Sequence, residues 1–161
     1  MRSVPLGKCA SPNFIMEVCE IQSAVTHNTP EAIKSSQVVA LASHYLMRGY
    51  SLIDMDSKLY NMIDSLDINY SHIGSVPCDA KLTVDAVMTA LHRNRNMCSL
   101  LMDCVNFSGD VDSVAAVALG LASLSKEYDH RLPSTLINKL ENGPYGRKYI
   151  TSLDQLFLRG K

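Results

Sequence analysis

The interpretation of this 161-residue sequence depends on one stretch, Val105-Asn106-Phe107-Ser108-Gly109-Asp110-Val111-Asp112-Ser113-Val114-Ala115-Ala116-Val117-Ala118-Leu119-Gly120-Leu121. Residues 113–124 are small or apolar and almost uncharged, a pattern that predicts a helix buried on all sides. Asp110 and Asp112 would then lie on a buried turn at the N-terminus of this helix. Buried carboxylates must be capped, paired or bound to a cation, so this turn is a candidate site.

The two carboxylates allow two interpretations from residue chemistry alone. Asp112 suits a helix N-cap, and an acidic residue in the first turn is favoured by the helix dipole. The cluster Asp-x-Asp-Ser, with the hydroxyl of Ser113, also offers the hard oxygen ligands that suit Mg²⁺, Mn²⁺ or Ca²⁺. An EF-hand is excluded, because Leu121 stands where the closing Glu of that loop belongs.

The segment Ser108-Gly109-Asp110-Val111-Asp112-Ser113 and the Ala-rich run after it resemble the C-terminal metal motif of the ADP-ribosylglycohydrolases, a family that includes the dinitrogenase-reductase-activating glycohydrolases. The usual form of this motif is Gly-Gly-Asp-x-Asp-Thr/Ser. The resemblance implies that Asp110, Asp112 and Ser113 are metal ligands and that Gly109 belongs to the substrate-binding site. The cofactor would be Mg²⁺ or Mn²⁺, with two ions in a complete family site.

A second element, Thr26-His27-Asn28-Thr29-Pro30-Glu31-Ala32, resembles the Thr-His-x-x-Pro-x-Ala element of the same family. In that family the His lies near bound ADP-ribose, which implies a substrate-binding role for His27. From the residues alone, His27 could equally be a capping or solvated side chain. Thr29 and Pro30 suit the N-cap and first position of a helix that should end at Gly49.

Two further segments extend the resemblance over nearly all of the chain. Residues 1–7 are similar to an internal Met-Arg-x-x-Pro-Leu-Gly segment of the family, and residues 141–150 to the C-terminal sequence of one bacterial branch. The Gly-Asp-x-x-Gly element, the acidic catalytic residue and the Thr-Asp-Asp motif of the family's N-terminal half have no counterpart here. We therefore expect a partial domain equivalent to the C-terminal half, in which no residue can be assigned as catalytic.

The remaining sequence reads as a single all-α domain over residues 1–161. Helical periodicity recurs along the chain, and no strand alternation persists, so an orthogonal helical bundle follows, the class that the resemblance also implies. Further predicted helices cover residues 13–25, 54–66, 80–91, 97–105, 134–140 and a last segment to about residue 158. The carboxylates of residues 54–67 and the other four histidines are interpreted as solvated or structural.

Composition excludes several classes of protein. The net charge is −1 and the basic residues are scattered, so no footprint for nucleic acid or an anionic membrane is present. No apolar run approaches the ~18 residues of a membrane span. Five cysteines lie among apolar neighbours without a Cys-x-x-Cys pair, which favours reduced thiols and a cytoplasmic location.

Two functions stay open at this point. The resemblance implies hydrolysis of the glycosidic bond at the C1″ carbon of ADP-ribose, with ADP-ribose or an ADP-ribosylated protein as partner. The missing motifs favour activity only with a complementary N-terminal half, and the exposed apolar surface of such a fragment would favour self-association. The alternative is a non-catalytic module that binds ADP-ribose or a nucleotide, or that serves as an interaction subunit.

Overall fold

The computed structural model describes the backbone of residues 1–159 and the side chains of residues 1–156. This part of the chain contains eight α-helices, a short 3-10 helix and two isolated parallel bridges, and it has no extended strand. The all-α prediction is therefore confirmed. After the 3-10 helix (Val4–Lys8), the α-helices are α1 (Pro12–Ala24), α2 (Pro30–Met47), α3 (Leu52–Met62), α4 (Ala80–Arg93), α5 (Met97–Asn106), α6 (Val111–Ala122), α7 (Ser134–Asn138) and α8 (Arg147–Arg159).

The chain divides into two compact units. The first unit, Met1–Arg131, contains the 3-10 helix and α1 to α6, and it carries all of the predicted site residues. The second unit, Leu132–Lys161, contains α7 and α8. A turn leads into α8, where the backbone N–H of Arg147 donates to the carbonyl of Glu141 at 2.9 Å. The single domain over residues 1–161 stays a prediction.

Helix α2 is the centre of the first unit. It packs against α1, the 3-10 helix, α3, α4 and α6. Every residue from 38 to 46 is buried, including the polar side chains of Ser43 and His44. The 3-10 helix approaches this run closely because Gly7 has no side chain: a Cβ there would lie only 2.5 Å from Ser43 Oγ.

The start and end of α2 confirm the sequence interpretation. The Thr29 side chain accepts a hydrogen bond from the backbone N–H of Ala32 at 3.2 Å, which is the geometry of an N-cap. Pro30 occupies the first helical position, where its missing N–H costs nothing. Gly49 follows the helix with φ +82°, the left-handed conformation that ends helices.

Helix α6 is not buried on all sides, so that prediction was wrong. Its buried residues form one stripe at helical spacing, Val114, Val117, Ala118, Leu121 and Ala122. Ala116 is exposed, and Leu119 and Gly120 are half-buried. Ala and Gly are small enough to be tolerated both in the core and in solvent. Their positions therefore do not indicate which face of the helix is exposed.

Helix α1 buries only part of its apolar side chains. Ile15 and Cys19 are fully buried, whereas Phe14, Ile21 and Val25 are 50%, 71% and 76% exposed. These three exposed residues recur at spacings that place them on one side of the helix. The expected self-association, or the docking of a complementary half, stays a prediction.

One carboxylate interpreted as solvated is in fact paired. Asp56 of α3 lies with its Oδ2 3.0 Å from His92 Nε2 of α4, and both side chains are mostly buried. The ring of Tyr70 packs edge-on against His92. Burial, with the nearby Asp56 carboxylate, raises the pKa of the Tyr70 hydroxyl. The cluster joins two helices through groups that the sequence places far apart.

A buried histidine makes the stability of the first unit sensitive to pH. His44 is 3% exposed, and its Nδ1 donates to the carbonyl of Gly7 at 3.0 Å. Burial lowers the pKa of His44 below its ordinary value of 6.5, although the hydrogen bond to Gly7 opposes this effect. The folded protein therefore holds a neutral imidazole under conditions in which the unfolded chain takes up a proton.

We expect the free energy of unfolding to fall as the pH is lowered through about 6.5, because the unfolded state then binds more protons at His44 than the folded state does. Above that pH, this contribution should be constant. Urea titrations between about pH 8 and pH 5 measure it, with His44→Gln as the comparison because Gln retains an N–H donor for Gly7. An unchanged pH slope in the variant would contradict the prediction.

No helix in residues 1–159 is both long enough and apolar enough to cross a membrane.

Candidate functional site

The loop before α6 depends on a glycine in a left-handed conformation. Gly109 has φ +79°, and a Cβ at this position would lie 2.1 Å from the carbonyl oxygen of Val76. This close approach lets Val76 pair with the loop: its N–H donates to Ser108 O at 3.0 Å, and its carbonyl accepts from Asp110 N at 2.8 Å. Gly109 therefore fixes the backbone that carries Asp110, and its substrate-binding role stays a prediction.

Asp110 occupies the N-cap position of α6, but its side chain caps nothing. Its backbone carbonyl accepts from Val114 N at 3.3 Å, whereas the carboxylate forms no capping bond. The same carboxylate makes no hydrogen bond or ion pair with any side chain of residues 1–156. Half-buried and without such a partner, it remains available to a ligand or a cation.

Asp112 differs from Asp110 in its surroundings. It lies in the first turn of α6 and is exposed to solvent. The buried turn predicted for both carboxylates is thus wrong for Asp112, and so is its interpretation as the N-cap, since Asp110 holds that position. An acidic residue in a first helical turn is favoured by the helix dipole without any ligand.

A cavity of about 410 Å³ lies beside this loop. It brings together Asp110, the N-cap of α6, and Ser113 of the same helix with His27, which lies in the loop between α1 and α2. Asp112 and Gly109 are outside its lining. The residues that line it are Met1, Arg2, Ser3, Gln22, Ser23, His27, Ala32, Ser35, Ser36, Val39, Cys78, Asp79, Ala80, Thr83, Val84, Val87, Asp110, Ser113 and Val117.

Two charged residues of the cavity were missed in the sequence. Arg2 donates through Nη2 to the hydroxyl of Thr26 at 2.5 Å. Asp79 is the N-cap of α4, where its Oδ1 accepts from Leu82 N at 2.8 Å. The sequence carried a signal for Asp79 as a polar residue directly before a helical pattern, but only as a cap. The only sequence signal for Arg2 was its position in residues 1–7, the segment that resembles the family.

His27 is exposed at the cavity, and its Nδ1 lies 2.9 Å from the Thr26 hydroxyl. The charges of the lining act on one another: burial lowers the pKa of the Met1 amino group and Arg2 lowers it further, whereas Asp110 raises it. The cavity thus holds cationic and anionic groups within electrostatic reach. Such a lining suits a ligand with both phosphate and hydroxyl groups.

The oxygen donors in this cavity are of the type that a hard cation prefers, but there are few of them. The carboxylate of Asp110 and the hydroxyl of Ser113 are oxygen ligands of the type that Mg²⁺ and Mn²⁺ prefer. Within the described part of the chain, however, no cluster of three or more His, Cys, Asp or Glu residues could enclose a metal ion. Any ion here would complete its shell with water or with ligand oxygens.

Comparison with known proteins identifies the family. The ADP-ribosylglycohydrolase family model matches residues 1–161, the whole chain. The chain therefore belongs to the ADP-ribosylglycohydrolase family and is an ADP-ribosylglycohydrolase-like module. No curated protein and no solved structure matches it.

Proposed function

We propose that the cavity at Asp110 binds the ADP-ribose part of an ADP-ribosylated substrate. In a complete domain, the module would take part in metal-dependent hydrolysis of the bond between ADP-ribose and a protein side chain. The observation that carries this proposal is that Asp110, Ser113 and His27 line one cavity. These residues belong to the two family-like motifs, which lie far apart in the sequence.

The size and charge of the cavity support this ligand. A volume of about 410 Å³ falls within the usual range of small-molecule sites. The guanidinium of Arg2 supplies a positive charge that attracts phosphate oxygens, and its Nη1 donors are not used by Thr26 or Gln22. Ser35 adds a hydroxyl that can bond a ribose oxygen, and the Thr83 hydroxyl, which donates to Asp79 O, can still accept from a ribose hydroxyl.

The metal in this proposal is Mg²⁺ or Mn²⁺, held by Asp110 and Ser113, with Asp112 beside them on the first turn of α6. A bound divalent ion would polarise oxygens of the substrate and orient a water molecule. Asp110 is suited to this role because its carboxylate, although half-buried, is not neutralised by an ion pair in the described part of the chain. With so few protein ligands, affinity for the ion should be weak unless substrate also binds.

Binding without catalysis is the second candidate function. Only two carboxylates line the cavity in the described structure, and one of them, Asp79, already caps α4. Glycosidic hydrolysis commonly uses one carboxyl group as an acid and another as a base or nucleophile. The lining therefore supports ligand binding more directly than complete catalysis by the chain alone.

Calorimetry with ADP-ribose, with and without Mg²⁺, tests the binding proposal, and we expect Mg²⁺ to strengthen binding. Release of ADP-ribose from a modified protein should be assayed with the chain alone and with the N-terminal half of a complete family member. Binding with release only in the complemented sample would support the glycohydrolase module. Binding without release in either sample would support the second candidate, and absence of binding would refute the proposal.

A further inference from the structure

The Thr26 hydroxyl lies between two residues of the cavity. Arg2 Nη2 is 2.5 Å from Thr26 Oγ1 on one side, and His27 Nδ1 is 2.9 Å from the same oxygen on the other. Arg2 is held in turn by Gln22. With the Gln22 amide oriented so that its oxygen faces the guanidinium, this oxygen accepts from Arg2 Nε at 3.1 Å and from Nη2 at 3.3 Å.

The direction of the bond from Arg2 follows from the chemistry of the groups, whereas the direction of the bond to His27 depends on the tautomer of its ring. A guanidinium can only donate, so the Thr26 oxygen accepts from Arg2. The hydroxyl keeps one proton, and the side-chain acceptor within reach in the described structure is His27 Nδ1. A hydroxyl that accepts from a cation is polarised and becomes a better donor. A neutral His27 that accepts this proton at Nδ1 carries its own proton at Nε2.

We propose that Thr26, anchored by Arg2, is a positioning residue that holds neutral His27 in the tautomer with its N–H at Nε2. This tautomer offers the cavity a donor rather than an acceptor. The class of group it would bind is an oxygen acceptor, such as a phosphate or ribose oxygen. That last step rests on the proposed function, whereas the assignment of the tautomer does not.

Nitrogen-15 NMR of the histidine rings tests the tautomer directly. Spectra are recorded without ligand near pH 8.5, about two units above the ordinary histidine pKa, and the loss of a signal in His27→Gln assigns the ring. We expect the Nε2–H tautomer in the natural chain, a shift toward a mixture of tautomers in Thr26→Val, and its recovery in Thr26→Ser. The Val variant should fold normally, because residue 26 is exposed.

A proton found on Nδ1 of His27 in the natural chain would overturn the proposal. So would His27 ring signals in Thr26→Val that are identical to those of the natural chain. Binding is a separate readout: Thr26→Val should weaken ADP-ribose binding roughly three- to tenfold, the value of about one hydrogen bond, and Thr26→Ser should not. If the natural chain fails to bind ADP-ribose, the proposed function fails, and the NMR result still decides the role of Thr26.

Discussion

Replacing Gly109 with alanine should lower the free energy of unfolding by roughly 3–4 kcal/mol, from backbone strain and the loss of two hydrogen bonds. The new Cβ would stand 2.1 Å from the carbonyl oxygen of Val76, a backbone atom that cannot rotate away. Relief of this clash requires the loop to separate from Val76. Both hydrogen bonds that join Val76 to the loop would then break, one of them to the N–H of Asp110.

Gly74→Ala provides the matched control for this prediction. Gly74 also has a left-handed backbone, with φ +92°, but nothing lies within 4 Å of a Cβ built there. Its substitution should cost about 1–2 kcal/mol, the price of the conformation alone. Urea unfolding followed by circular dichroism measures both variants. Equal losses at the two positions would show that the contact with Val76 contributes nothing.

The same loop illustrates what the sequence could and could not predict. Gly109 before two carboxylates indicated an unusual backbone. A left-handed conformation is a local property of the chain, and glycine is the residue that adopts it most readily. Its partner Val76 could not be found this way, since no local rule relates the two positions. The Thr29 cap and the Gly49 stop were predictable for the same local reason.

Burial was predictable only where the side chains differ in polarity. Helix α6 is rich in Ala, Val and Gly, and these residues do not distinguish a core helix from one with an exposed side. Helix α2 contains Ser43 and His44 in its most buried part, where polar residues normally indicate solvent. Both are buried because the 3-10 helix supplies partners: the hydroxyl of Ser43 donates to Val4 O at 2.7 Å, and His44 Nδ1 donates to Gly7 O.

The candidate site shows the same limit. The motifs pointed to Asp110, Ser113 and His27, and the cavity contains all three. Arg2, Gln22 and Asp79 complete its polar lining through tertiary contacts that no spacing in the sequence indicates. In the sequence motif, Asp110 and Asp112 look equivalent. In the structure, their side chains differ in exposure, and only Asp110 lines the cavity.

This difference between the two carboxylates leads to the second large effect. Asp110→Asn should abolish the strengthening of ADP-ribose binding by Mg²⁺, which amounts to a loss of at least about tenfold in affinity when the ion is present, because removing the charge weakens a hard-cation site. Stability without metal should stay within about 0.5 kcal/mol, since the carboxylate makes no capping bond and Asn serves equally well at an N-cap.

Asp112→Asn is the comparison. It removes the same charge from a residue only two positions away, whose side chain is exposed and lies outside the cavity lining. We expect a loss of only a few fold, as solvent screens an exposed carboxylate more strongly than a half-buried one. Calorimetric titration of each variant with ADP-ribose, at a series of Mg²⁺ concentrations, separates the two. An unchanged Mg²⁺ dependence in Asp110→Asn would contradict the assignment, whereas equal losses in both variants would show that the carboxylates hold the ion jointly.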